Sequence, residues 1–212
     1  GGSQTLVDNA QGTLVVTGVT GPSGGPFSVN YTYTLKDNVL THSVQGDDDT
    51  VNGPLFVVSA TDATGDVGTG NLQVVISDDA PTANNDADSA VEGVFTPVTG
   101  NVITGLGTTG GAGGAGADVK GADDAAVSQV VGFNGSTDSN ASGGFTVTGQ
   151  YGNLTMGPDG EYSYTLTATS VPVGATDVFT YTLKDGDNDT DPATLTINIG
   201  QDTRTPVLTI GN

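Results

Sequence analysis

The chain has no cysteine and no tryptophan, one histidine, and only four Lys and Arg residues among 212. Each shortage closes a class of function. Without cysteine there are no disulfides, no thiolate nucleophile and no cysteine zinc site. Four basic side chains cannot track a phosphate backbone, so nucleic acid is excluded as a partner. An anionic lipid surface is excluded for the same reason. No apolar run approaches the roughly 18 residues that a membrane helix needs, and no direct membrane insertion is expected. Catalysis also has little material. Any Ser-His-Asp arrangement would have to use His42, which alternation in Leu40-Thr41-His42-Ser43-Val44 puts on the polar face. A glycosidase could use paired carboxylates, but it wants a cleft lined with aromatics, and these are only 6% of the chain. No enzyme is expected.

What the chain has is glycine, aspartate and alternation. It carries 34 Gly, and 24 acidic residues give it a net charge of -20. High charge with modest hydrophobicity is also the signature of disorder. The patterning argues against that. In Phe27-Ser28-Val29-Asn30-Tyr31-Thr32-Tyr33-Thr34-Leu35 every odd position is apolar or aromatic, the period of a half-buried strand. The segments Leu72–Ile76, Phe179–Leu183 and Leu195–Ile199 read the same way. Gly, Asp, Asn and Pro punctuate these runs at turn spacing. No window keeps a helical period, and the glycines in Ala112–Ala126 argue against a helix there. The fold class expected is all-β.

The sequence repeats itself. Gly12–Gly18 matches Gly143–Gly149, and Tyr33-Thr34-Leu35 matches Tyr164-Thr165-Leu166, both 131 residues on. Phe56, Asp62, Asp66, Leu72, Ile76 and Asp79 match Phe179, Asp185, Asp189, Leu195, Ile199 and Asp202, all 123 residues on. The offset falls by eight, which places eight extra residues of the first copy in the loop-like stretch Asn38–Pro54. Repeats of this length are whole domains rather than solenoid turns. The expected organisation is one module over 1–80, a second over 81–203, and the start of a following module or linker over 204–212. The joint, Ser77-Asp78-Asp79-Ala80-Pro81-Thr82-Ala83, is short and reads as stiff. The first module is short, so part of its N-terminal edge belongs to a preceding module or is missing.

The segments FVVSATDATGDVGTGNLQVVISDDAPT, from Phe56, and YSYTLTATSVPVGATDVFTYTLKDGDNDTDPATLTINI, from Tyr162, carry a family resemblance. Both resemble the VCBS-like, cadherin-like or bacterial Ig-like repeats of giant RTX adhesins exported by type I secretion. The resemblance implies two tandem Ig-like or cadherin-like β-sandwich domains. It further implies calcium in loops and at module junctions, an extracellular place on the bacterial cell surface, and a role in attachment or biofilm formation. The partners it implies are neighbouring repeat modules of the same chain, with any glycan or cell-surface ligand bound elsewhere in the full protein.

Of the acidic residues 22 are Asp and only two, Glu92 and Glu161, are Glu. Asp holds its carboxylate close to the backbone and tolerates turns, which suits a metal-binding loop as well as a plain turn. The densest candidate is Asp185-Gly186-Asp187-Asn188-Asp189-Thr190-Asp191, with four carboxylates in seven residues. Calcium takes six to eight oxygens, and carboxylates at alternate positions can converge on one ion. It is not an EF-hand, because Thr190 and Thr196 stand where that loop needs Gly and Glu. The equivalent turn of the first copy keeps Asp62 and Asp66 and would need outside ligands. Asp78, Asp79, Asp86, Asp88 and Glu92 are the joint's candidates, with Asp202 repeating Asp79. In cadherin-like chains such linker acids share ions with loop acids. Asp118 and Asp123 form a further loop candidate. The stretch Gly113–Gly121 fits a calcium-binding nonapeptide except at Lys120, but one copy cannot build a β-roll. The alternative at every one of these places is a solvated acidic turn.

The functional expectation is a calcium-stabilised extender: repeats that hold a distal adhesive region away from the cell. The alternative is a glycan- or peptide-binding adhesion module, for which Tyr151, flanked by Gln150 and Gly152, is the one tyrosine off the strand faces.

Overall fold

The computed structural model describes residues 4–9, 11–22, 25–36, 50–61, 64–108, 116–138 and 143–204. His42, Asp62 and the Asp47-Asp48-Asp49 run lie outside the described residues, as does most of 204–212. The protein is all-β, with no α-helix among the described residues. It divides into two compact units, Gly1–Asp79 and Ala80–Asn212.

Unit 1 contains β1 (Gln4–Asp8), β2 (Gly12–Thr20), β3 (Ser28–Leu35), β4 (Thr50–Thr61) and β5 (Val67–Ser77). They form a three-stranded sheet in the order β1-β2-β3 and a β4-β5 hairpin, all antiparallel. The stretch Asn38–Pro54 is not loop to its end. Its last residues, from Thr50, belong to β4, whose register with β5 shifts between Asn52 and Leu55. Extra residues inside a strand are accommodated in this way, as a bulge.

Unit 2 contains β6 (Asp86–Val91), β7 (Val98–Asn101), β8 (Ala125–Val131), β9 (Thr137–Asp138), β10 (Phe145–Thr148), β11 (Gly152–Met156), β12 (Glu161–Leu166), β13 (Thr176–Asp185) and β14 (Thr190–Gly200). One sheet runs β6-β14-β13-β8-β9 and the other β10-β11-β12-β7. Every pairing is antiparallel except β14 with β6. The two sheets stack as a sandwich. Inward residues of one, such as Phe145, Leu154 and Tyr164, share a single buried cluster with Phe179, Tyr181 and Leu195 of the other. Burial alternates residue by residue along β13, so the period of two seen in its sequence is the period of its packing.

Strand pairing reveals the repeat more sharply than sequence matching does. Phe56 faces Leu72 and Thr61 faces Val67, while Phe179 faces Leu195 and Lys184 faces Thr190. The β4-β5 hairpin therefore equals the β13-β14 hairpin at the 123-residue offset. In the other sheet Gly12 faces Leu35 and Leu14 faces Tyr33, as Gly152 faces Leu166 and Leu154 faces Tyr164. So β2 is the counterpart of β11, and the sequence match of Gly12–Gly18 to Gly143–Gly149 had placed it one strand early, on β10. Threonine-rich alternation is common to both strands, and only pairing separates them. The glycines have a shared reason. A Cβ at Gly152 would overlap the ring of Tyr164, and a Cβ at Gly12 the ring of Tyr33. Both tyrosines then meet a phenylalanine of the opposite sheet. The ring centroids of Tyr33–Phe56 and of Tyr164–Phe179 are each 6.0 Å apart. Such tilted pairs contribute about 0.5–1.5 kcal/mol beyond the area they bury.

Candidate metal centre

Two groups of carboxylates converge within unit 2. The first forms where β8 meets β13. Register sets Asp185 opposite Ala125, so the turn just before β8 brings Asp123 alongside the β13-β14 turn. Carboxylate oxygens of Asp123, Asp185 and Asp187 lie within 4.8 Å of one another. The backbone holds them there. Asp187 N–H donates to Asp123 Oδ2 at 3.1 Å, Asp189 N–H to Asp185 Oδ1 at 2.7 Å, and Asp185 N–H to the Asp189 carbonyl at 3.1 Å. Asn188, at φ 89°, makes the left-handed step that closes the turn. Gly186 leaves room, since a Cβ there would come within 2.9 Å of Asp123 Oδ2. Asp185 is buried, and burial, the hydrogen bond to Asp187 and the charge of Asp123 raise its pKa. Oδ1 of Asp123 and Oδ2 of Asp185 are buried without any hydrogen-bond donor.

The second group lies at the start of β6. Asp86, 3% exposed, and Asp118 approach the hydroxyl of Tyr181. That hydroxyl lies 2.8 Å from the Asn84 carbonyl, 3.3 Å from Asp86 Oδ2, and 3.2 and 3.1 Å from the two oxygens of Asp118. One proton faces four acceptors, and a hydroxyl donates only one bond at a time. Asn84 N–H donates to Asp118 Oδ1 at 2.7 Å, while Asp86 Oδ1 is buried with no donor. Burial, with the charge of Asp118 adding to it, pushes the Asp86 carboxyl up to about 7. Burial likewise pushes Asp118 up to about 6 against the Asn84 hydrogen bond, and the charge of Asp191 adds to the rise.

Both groups have the same imbalance: a surplus of buried oxygen acceptors and a shortage of donors. A buried acceptor without a donor costs about 1–3 kcal/mol, and a charged one more. A hard divalent cation removes the imbalance, because it takes several oxygens and cancels two charges. The donor set, carboxylates with a backbone carbonyl beside them, suits such an ion. These residues could hold one.

The remaining candidates are placed otherwise. Asp189 is fully buried in the β13-β14 turn, and Asp191 accepts from Ala83 N–H at 2.8 Å. Asp88 gives its oxygens to Ser89 N–H and to the Tyr162 hydroxyl, both at 2.7 Å. Glu92 accepts from Val171 N–H at 3.1 Å, and Asp202 is held by Arg204 through its backbone N–H at 2.8 Å and through two guanidinium hydrogen bonds at 2.8 and 3.0 Å. In unit 1, Asp66 is exposed beside Thr64, whose hydroxyl donates to it at 3.3 Å, and Asp78 and Asp79 close the unit. Tyr151 is half-buried against the core rather than presented for stacking on a sugar. The Asn84 carbonyl and the Tyr181 hydroxyl were not legible as site groups. Alternation turns Tyr181 inward, but nothing in sequence marks which acids its tip will meet. No protein-family model and no curated protein matches the chain.

Proposed function

We propose that the chain is a pair of calcium-stabilised repeats of a large bacterial surface adhesin, acting as a structural extender that holds a distal adhesive region away from the cell. The observation that carries the metal part is the donorless buried oxygen of Asp123, Asp185 and Asp86, each within a carboxylate group. Calcium suits such a donor set better than magnesium, because it takes six to eight oxygens in flexible geometry, whereas magnesium demands a near-ideal octahedron and keeps several of its waters. The repeat of hairpin, aromatic pair and glycine in two units favours architecture over catalysis, since an active site is rarely built once per module. The proposed mechanism is electrostatic. Without the ion, like charges push the turns apart; with it, β8, β13 and β14 are tied at one end of the sandwich. Calcium is scarce in the bacterial cytosol and plentiful outside, so folding would follow export.

Thermal unfolding in excess EDTA, in millimolar calcium and in millimolar magnesium tests this. Calcium alone should raise the melting temperature by about 10 °C, the shift that a couple of kcal/mol gives in a domain of this size. Asp185→Asn should reduce that rise and raise the melting temperature in EDTA, because it removes a repelling charge. Equal melting temperatures in all three conditions would leave the acids as a solvated coat and end the proposal.

A further inference from the structure

The register equivalence of the two units shows what unit 1 lacks. Its five strands are counterparts of β10 to β14, the closing part of unit 2. Nothing in it, among the described residues, corresponds to β6, β7, β8 and β9. In unit 2 those strands cover three edges. β6 pairs in parallel with Leu195–Gly200, β8 pairs with Thr180–Asp185, and β7 pairs with Glu161–Tyr164. The equivalent edges of unit 1 are Leu72–Ser77, Val57–Thr61 and Asn30–Tyr33. Among the described residues, none of the three has a strand partner outside its own sheet's known pairings.

Side chains tell the same story. Leu166 is 2% exposed, and its counterpart Leu35 is 41% exposed. Tyr162 is buried and donates to Asp88 of β6, whereas its counterpart Tyr31 is 49% exposed. Between the two sheets of unit 1 an open cavity of about 380 Å³ is lined by Leu14, Val16, Tyr31, Val58 and Leu72. The corresponding space in unit 2 is closed with the help of Val102, Ile103, Val127 and Val130, all from the opening part. An open apolar face with long unpaired strand edges is an unstable surface in water and a template for strand addition.

We propose that unit 1 is a strand acceptor. Its face and its three open edges bind an opening half-module of the kind that residues 80–138 form here. The chemistry of the occupant is specified by the unit 2 template. It needs a parallel strand beside β5, an antiparallel strand beside β4 and another beside β3. It also needs branched aliphatic residues for the cavity, and a carboxylate at the β6 position of Asp88 to receive the Tyr31 hydroxyl. The inference rests on the repeat reading of the chain and not on the metal. Its test therefore reads strand protection and not calcium response.

The experiment fuses a copy of residues 80–141 ahead of the 212-residue chain and compares hydrogen exchange, residue by residue, with the chain alone. In the fusion, amides of Val57–Thr61, Leu72–Ser77 and Asn30–Tyr33 should exchange about tenfold more slowly or better, and binding of an apolar dye should fall. A control fusion carrying Val127→Asp and Val130→Asp in the added copy should give no protection. Tyr31→Phe should speed exchange in the fusion and leave the unfused chain unchanged. Unaltered exchange in the fusion would overturn the proposal. So would edges already protected in the chain alone, whether at all concentrations, meaning other residues cover them, or only in a dimer seen by sedimentation, meaning a second copy does. If the fusion fails while calcium still raises the melting temperature, the extender reading survives and only the acceptor is lost.

Discussion

Units 1 and 2 share two hairpins and an aromatic pair, yet one is a closed sandwich and the other an open one. The Tyr–Phe distance is identical in both, so the motif at the heart of the module forms without the opening strands. Burial does not follow. Phe179, Leu195 and Ile197 are fully buried, while their counterparts Phe56, Leu72 and Val74 are only half-buried. Strand pairing within a hairpin is local; closing a core needs both layers complete. The carboxylate groups follow the same division. Asp185 has a counterpart in the sequence of unit 1, but Asp123 and Asp118 belong to the opening part and have none among the described residues.

The first way to break this comparison is to remove the shared phenylalanine from each unit. Phe179→Ala should cost unit 2 about 3–5 kcal/mol, the price of a large buried cavity. Phe56→Ala should cost unit 1 well under half of that. Chemical denaturation followed by residue-resolved exchange separates the two, and equal losses would mean that unit 1 has a closed core.

The hydroxyls of the paired tyrosines sharpen the contrast. Tyr164 donates to Asp177 at 2.7 Å, and Asp177 also accepts from Gln150 N–H at 2.7 Å and from Tyr151 N–H. Tyr33 has its hydroxyl buried with no partner, because Pro54 stands at the position equivalent to Asp177. Tyr164→Phe should therefore destabilise unit 2 by about 1–3 kcal/mol, since it strips a donor from a buried carboxylate. Tyr33→Phe should be neutral or stabilising. A loss on Tyr33→Phe would show that its hydroxyl has found a donor or acceptor.

A smaller effect is expected from pH. The folded pKa values of Asp86 and Asp118, about 7 and about 6, lie above the ordinary 3.8. The folded state then holds protons that the unfolded state has released, and stability must fall as pH rises through that window. In EDTA, unit 2 should melt several degrees higher near pH 5 than near pH 8. Unit 1, without these residues, should respond less, and calcium should flatten the slope by replacing the proton. A rise in stability with pH would contradict the buried placement of both carboxylates.

Several features were legible because they are written in local pattern. Alternation in Phe179–Leu183 and Leu195–Ile199 names strands and their inward faces, and with them an all-β class. Equally spaced residues name a repeat with its 123-residue hairpin offset. The acidic turn at Asp185–Asp191 was visible as a charge too dense to leave uncompensated. Other features were not legible, for reasons that are equally physical. Threonine-rich strands of similar pattern cannot be told apart until pairing fixes their register, so β2 was matched to β10 rather than β11. Asp88 and Asp86 stand two apart on the same strand face, and sequence treats them alike. A tyrosine hydroxyl satisfies Asp88, while Asp86 is left with an oxygen that no donor reaches.

The sequence by itself determined the fold class, the strand faces, the repeat and the absence of any thiol, because composition and a period of two are local properties. Only the tertiary structure decided which acids converge. Asp123 meets Asp185 across 62 residues of chain, and Asp118 meets Asp86 across 32, through strand register and sheet stacking that no local pattern encodes. It also decided that the two copies differ in closure, since a core is complete only when every edge and face has its partner.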